Sequence, residues 1–146
     1  MYGEEEQFNS REVQNELFLG TSGNNFLRGD RKALGTDDLM NAKDGRDTLD
    51  GGLKNDKLFG EAGSDLLLGG SGNDYLDGGS GDDILNGGSG NDTLVGGGNK
   101  DTFVFQTGFG TDIITDFRDG VDLIDLRAFT NFGDDDDDDN RKSVFG

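Results

Sequence analysis

The sequence predicts an all-β repeat protein made of nine-residue turn-and-strand units, and three observations predict it. Set in rows of nine, the chain places Asp47, Asp56, Asp65, Asp74, Asp83, Asp92 and Asp101 in one column. Leu49, Leu58, Leu67, Leu76, Leu85, Leu94 and Phe103 fall two places later without a slip of register. Glycine fills two more columns, Gly51, Gly60, Gly69, Gly78, Gly87 and Gly96 in one, and Gly45, Gly63, Gly72, Gly81 and Gly90 in the other, where Lys54 and Asn99 interrupt it. This period is too short for helical repeats and lacks their apolar spacing, whereas a tight turn and a three-residue strand fill it. Because side chains alternate faces along a strand, the Leu and Phe column points inward and Tyr75, Asp77, Asn86 and Thr93 point outward.

Residues 1–19 show no repeat and read as an acidic lead-in or linker, with Leu17 to Leu19 entering the repeat region. Gly20 to Arg28 is a degenerate copy, with Gly23 in the loop, Asn25 at the aspartate place and Leu27 at the core place. Gly29 to Asn41 is one copy carrying about four extra residues, with Asp37 or Asp38 at the aspartate place. The repeat region covers 20–104, and its regular units occupy 42–104. Over 105–132 the glycine pattern stops. Two alternating stretches, Asp112 to Phe117 and Val121 to Leu126, flank Arg118 to Gly120, which is a hairpin signal. Such a hairpin caps the open end of a repeat array, and Phe103, Phe105, Phe109, Ile113, Ile114, Phe117, Ile124 and Phe129 are predicted to form its core. Residues 133–146 contain the run Asp134 to Asp139 and read as a disordered acidic tail.

Gly69 to Asp77, Gly78 to Asn86 and Gly87 to Val95 fit the pattern G-G-x-G-x-D-x-U-x at every defined position. This resembles the nonapeptide of the RTX, or hemolysin-type, calcium-binding repeat family. Gly60 to Leu68 departs from it at Glu61, Gly51 to Phe59 at Lys54 and Gly96 to Val104 at Asn99. The resemblance implies a right-handed parallel β-roll, a β-solenoid with two nonapeptides per turn and Ca²⁺ between the turn loops on both edges. The segment after the repeats is similar to the one that closes the roll in serralysin proteases and in the calcium-binding modules of mannuronan epimerases. As metal ligands the resemblance implies Asp47, Asp56, Asp65, Asp74, Asp83, Asp92 and Asp101, with loop positions Gly70, Gly72, Gly79, Gly81, Gly88 and Gly90.

With two units per turn, Asp47 stacks over Asp65, Asp56 over Asp74, Asp65 over Asp83, Asp74 over Asp92 and Asp83 over Asp101. At the ~5 Å spacing of strands, two such charges repel by roughly 3 kcal/mol at an effective dielectric of about 20. Ca²⁺ removes that repulsion and takes about six to eight oxygens, from aspartates and from carbonyls that glycine lets approach. The expectation is therefore a chain disordered without calcium and folded with it. Asp50, Asp77 and Asp82, off the column, are expected to be outward, solvated charges.

Composition narrows the function. Only 30% of the residues are apolar and 27 are glycine, so a broad oily core is excluded. The 31 acidic against 13 basic residues, net -18, repel nucleic acid and anionic lipid. Without cysteine or histidine the chain has no disulfide, no thiolate site and none of the commonest general base. No Lys-Ser or Lys-Thr follows the "GSGND" loops, so they do not match a phosphate loop, and the serines have no His or Cys partner. No catalytic residue is identified. Apolar runs reach only about three residues, too short for a membrane span, and the acidic start from Glu4 to Glu6 is unlike a Sec signal. The first reading is a monomeric, non-catalytic calcium module that stabilises a secreted bacterial protein or assists its export, outside the cell and, by the resemblance, through a type I system. A second reading makes it the calcium-binding C-terminal part of a secreted protease, lipase or polysaccharide epimerase, linked to a catalytic domain. A third is a polysaccharide-binding or adhesive module using outward residues such as Arg46, Lys57 and Tyr75.

Overall fold

The computed structural model describes residues 17–29 and 36–129. The acidic lead-in before Leu17, the extra residues of the long copy at 30–35, and the acidic tail lie outside the described residues. Ten strands are laid down in sequence: β1 (Leu17–Leu19), β2 (Phe26–Arg28), β3 (Leu39–Asn41), β4 (Thr48–Asp50), β5 (Lys57–Phe59), β6 (Leu66–Leu68), β7 (Tyr75–Asp77), β8 (Ile84–Asn86), β9 (Thr93–Val95) and β10 (Thr102–Val104). Two more follow, β11 (Ile113–Ile114) and β12 (Leu123–Asp125).

Successive strands alternate between two parallel sheets. One runs β1-β3-β5-β7-β9-β11 and the other β12-β10-β8-β6-β4-β2. Each strand thus pairs with the strand two along, as in Leu58 beside Leu76 and Leu67 beside Leu85. That is a β-solenoid with two units per coil, the all-β fold class the repeat predicts. Loop amides extend the ladders between coils: the Ser71 N–H donates to the Gly52 carbonyl, and the Ser89 N–H to that of Gly70, both at 2.9 Å.

The core is the predicted column. Leu49, Leu58, Leu67, Leu76, Leu85, Leu94 and Phe103 are 0% exposed, joined at the start by Met40 and Ala42. Each three-residue strand turns its middle side chain inward, so the interior is one side chain deep per strand. Phe18 and Leu27 in the first coil, and Phe105 and Ile114 in the last, pack against its ends.

The predicted C-terminal hairpin is corrected. β11 and β12 do not pair with each other; β11 lies parallel to β9, with Ile114 beside Leu94, and β12 lies parallel to β10, with Ile124 beside Phe103. The reason is backbone satisfaction, since β9 and β10 would otherwise each leave an edge unpaired, and one further coil pairs both, where β11 and β12 paired only with each other would pair neither. Arg118 to Asp122 turns the chain between the sheets, with the Val121 and Asp122 amides donating to the Arg118 carbonyl. The predicted aromatic group is met only in part. Phe109 contacts Phe105 and Phe129 edge-on, at ring distances of 5.2 Å and 6.1 Å, but Ile113 is 58% exposed and Ile124 42%.

Asp50 is a second correction. It is only 5% exposed, against the expectation of a solvated charge, because its strand partner is Arg28, whose Nε lies 3.5 Å from Asp50 Oδ2. Asp77 is half-buried, and Asp82 is exposed as expected.

Candidate metal centre

Each aspartate of the column ends a turn, one residue before its strand. The coiling splits these residues between the two edges of the solenoid. On one edge the order is Asn25, Asp47, Asp65, Asp83, Asp101 and Asp122; on the other it is Asp38, Asp56, Asp74, Asp92 and Asp112. One contact builds both columns: the amide of each residue donates to Oδ1 of the aspartate one coil on. The distance is 2.8 Å from Asp47 to Asp65, 2.7 Å from Asp56 to Asp74, 2.8 Å from Asp65 to Asp83, 2.7 Å from Asp74 to Asp92 and 3.0 Å from Asp83 to Asp101. All five stacked pairs expected from the spacing are brought together.

The second carboxylate oxygen is different. Oδ2 of Asp47, Asp56, Asp65, Asp74, Asp83, Asp92, Asp101 and Asp112 is buried and accepts no hydrogen bond. In the units of Asp56, Asp65, Asp74, Asp83, Asp92 and Asp101 it faces the glycine that opens the unit, so that a Cβ added at Gly51 or Gly69 would stand 2.6 Å from Oδ2 of Asp56 or Asp74. Glycine is needed there because the carboxylate fills the space a side chain would take.

Burial pushes all of these acids above the usual range, and for all but Asp112 nearby carboxylates add to it. Asp56 and Asp74 rise to about 8, and Asp83 and Asp92 to about 7. Asp65 and Asp101 rise to about 6, while Asp47 and Asp112 are raised as well. Each amide bond to Oδ1 works in the opposite direction without winning. A cation beside Oδ2 would reverse both causes, by supplying the missing partner and by cancelling the repulsion.

Gly70, Gly72, Gly88 and Gly90 lie in the turns leading to Asp74 and Asp92, and Gly79 and Gly81 in the turn leading to Asp83. All six have positive φ, between 89° and 113°. The carbonyls of Gly70 and Gly79 already accept the amides of Ser89 and Gly98, at 2.9 Å and 2.8 Å, so only a second lone pair of each is open to another partner. Among the described residues no three acidic side chains gather closely enough to hold a metal by themselves. Carboxylates come in stacked pairs, and main-chain oxygens would have to complete any coordination shell. An all-oxygen set of this kind suits a hard cation such as Ca²⁺.

Several members of the columns escape the nine-residue count. Asp112 and Asp122 continue them, accepting the amides of Asp92 and Asp101 at 2.8 Å and 2.9 Å. Each is followed two places on by a strand isoleucine, Ile114 packed against the core and Ile124 exposed, the same D-x-U signal at wider spacing. Of the two candidates in the long copy, Asp38 is in the column and buried, while exposed Asp37 accepts the Asn55 amide instead. Asn55 Oδ1 in turn accepts the Asn73 amide, Asn73 that of Asn91, and Asn91 that of Thr111, an asparagine ladder along one edge. Its signal is the Asn before the aspartate in every second unit.

The model of the RTX calcium-binding nonapeptide repeat matches four times, over residues 14–31, 41–76, 68–103 and 77–114. No curated protein and no solved structure matches the chain. Repeats of this type occur in secreted proteins, and membership implies Ca²⁺ binding. Among the described residues no helix is long and apolar enough to cross a membrane. With the matches spanning more than half of its length, and with two stacked aspartate columns bounding a parallel β-solenoid, the chain belongs to the RTX calcium-binding nonapeptide repeat family.

Proposed function

We propose that this chain is a non-catalytic module that folds on binding Ca²⁺, and that its folding stabilises a secreted protein or assists its export. The observation that carries the reading is the row of buried Oδ2 atoms, from Asp47 to Asp101 and at Asp112, that accept no hydrogen bond. Asp47, Asp56, Asp65, Asp74, Asp83, Asp92 and Asp101 would hold the ions, with Asp112 added at the end of one column. Carbonyls of the turns through Gly70, Gly72, Gly79, Gly81, Gly88 and Gly90 would complete the shells. Bound calcium supplies the positive charge that lets stacked carboxylates stay ionised in a dry place. The rest is the work of the chain: glycine gives the turns their shape, Oδ1 ties one coil to the next, and leucine fills the interior.

A charge of -18 favours an expanded chain where calcium is scarce, as in a bacterial cytosol. Extracellular calcium modules bind in the range of about 10⁻⁴ to 10⁻³ M, so passage to the outside would itself trigger folding. Type I secretion, which passes unfolded chains, suits that order of events.

Asp74→Asn and Asp83→Asn keep the Oδ1 acceptor and remove the charge. Measured by calorimetric titration, each is expected to weaken calcium binding by on the order of tenfold, while Asp82→Asn, at an exposed position, leaves it unchanged. Equal affinity in all three variants would refute the assignment.

A further inference from the structure

The last interval of one column already holds a positive charge. Arg118 is four residues ahead of Asp122, and its side chain folds back into the space between that residue and Asp101. The terminal nitrogen Nη2 is 3.0 Å from Asp122 Oδ1 and 3.7 Å from Asp101 Oδ2, and Nε is 3.3 Å from Asp122 Oδ2. Nη2 also donates to the Asn99 carbonyl in the turn leading to Asp101, and the Arg118 amide donates to Asp122 Oδ2 at 2.8 Å. One guanidinium thus meets two stacked, buried carboxylates and a turn carbonyl. Carboxylates and turn carbonyls are also what the other aspartate–aspartate intervals would offer a metal.

We infer that Arg118 is a resident cation occupying the calcium place between Asp101 and Asp122, so that this interval binds no metal and locks the final coil at any calcium concentration that keeps the rest folded. The inference rests on the calcium reading of the other intervals. Geometry suits the substitution, since a planar guanidinium with five donors can satisfy two carboxylates and a carbonyl together. Asp122 also behaves unlike the rest of its column. Burial opposes its charge, but the amides of Asp101 and Arg118 and the guanidinium outweigh burial and lower its pKa. The other edge ends with no such partner, for Oδ2 of Asp112 accepts no hydrogen bond. The two edges would therefore finish differently, one on a metal and one on an arginine.

Anomalous-scattering maps of the full chain crystallised in calcium test this directly. Metal peaks are expected between Asp47 and Asp65, Asp65 and Asp83, and Asp83 and Asp101, with guanidinium density and no peak between Asp101 and Asp122. A peak in that last interval overturns the inference while leaving the calcium reading intact; peaks in no interval overturn both. Arg118→Gln removes the charge, and native mass spectrometry is expected to count one more Ca²⁺ than in the unaltered chain. An unchanged count in folded Arg118→Gln would equally overturn it.

Discussion

Lys54 and Glu61 show how strongly the coil governs a single residue. Both stand where the repeat wants glycine, and both adopt the glycine backbone regardless, with φ of 80° and 76°; Lys43 and Asn99 do the same at 76° and 70°. A left-handed backbone costs a residue with a Cβ roughly 1 to 2 kcal/mol, partly offset by the greater entropy glycine loses on folding. Lys54→Gly is therefore expected to stabilise the calcium-loaded chain by about 1 kcal/mol in denaturant unfolding, and no gain, or a loss, would contradict the strain. The sequence marked Lys54, Glu61 and Asn99 as breaks in the pattern. What it did not reveal was that the turn persists through them, because neighbouring coils hold the backbone on both sides: the Glu61 carbonyl accepts the Ser80 amide at 2.7 Å, and the Lys54 carbonyl abuts Gly72.

At the scale of the turn and its aspartate, the metal-free coil has a predictable response to pH. The folded pKa values of Asp56, Asp74, Asp83 and Asp92 lie at about 7 to 8, above the ordinary carboxylate value, with burial as the chief cause. The folded state then binds more protons than the unfolded one, so stability from these groups is present at low pH and is lost as pH rises through the folded values. In chelator, lowering the pH from about 8 to about 5 is expected to increase strand content in far-UV circular dichroism, as protons do in part what calcium does. Loss of strand signal on acidification would contradict the burial of these acids. Spacing made most of this element legible, because Asp47 to Asp101 never leave the nine-residue rows. Asp112 and Asp122 were hidden because the intervals widen to eleven and ten residues after Asp101, and the alternation around Arg118 to Gly120 imitates a hairpin. A local pattern of alternating residues cannot tell a strand that folds back from one that crosses to the opposite sheet; here the unpaired edges of β9 and β10 decide it.

For the whole molecule, the balance is between a core one side chain deep and two columns of buried acids. Nine residues from Met40 to Phe103 form the buried apolar cluster, and the same coils bury Asp38, Asp47, Asp56, Asp65, Asp74, Asp83, Asp92, Asp101 and Asp122. So every residue of the buried apolar cluster is matched by a buried acid, a ratio that an apolar core alone does not sustain. That balance was visible in the sequence as soon as the leucine and aspartate columns were seen to share a period. Calcium titration of the full chain at neutral pH, followed by far-UV circular dichroism with magnesium as the control ion, tests the claim most directly. Little strand signal is expected in chelator, with a cooperative rise on adding calcium and a much weaker response to magnesium, whose small rigid shell fits such loops poorly. A complete strand signal in chelator that calcium leaves unchanged, or an equal response to both ions, would contradict the claim.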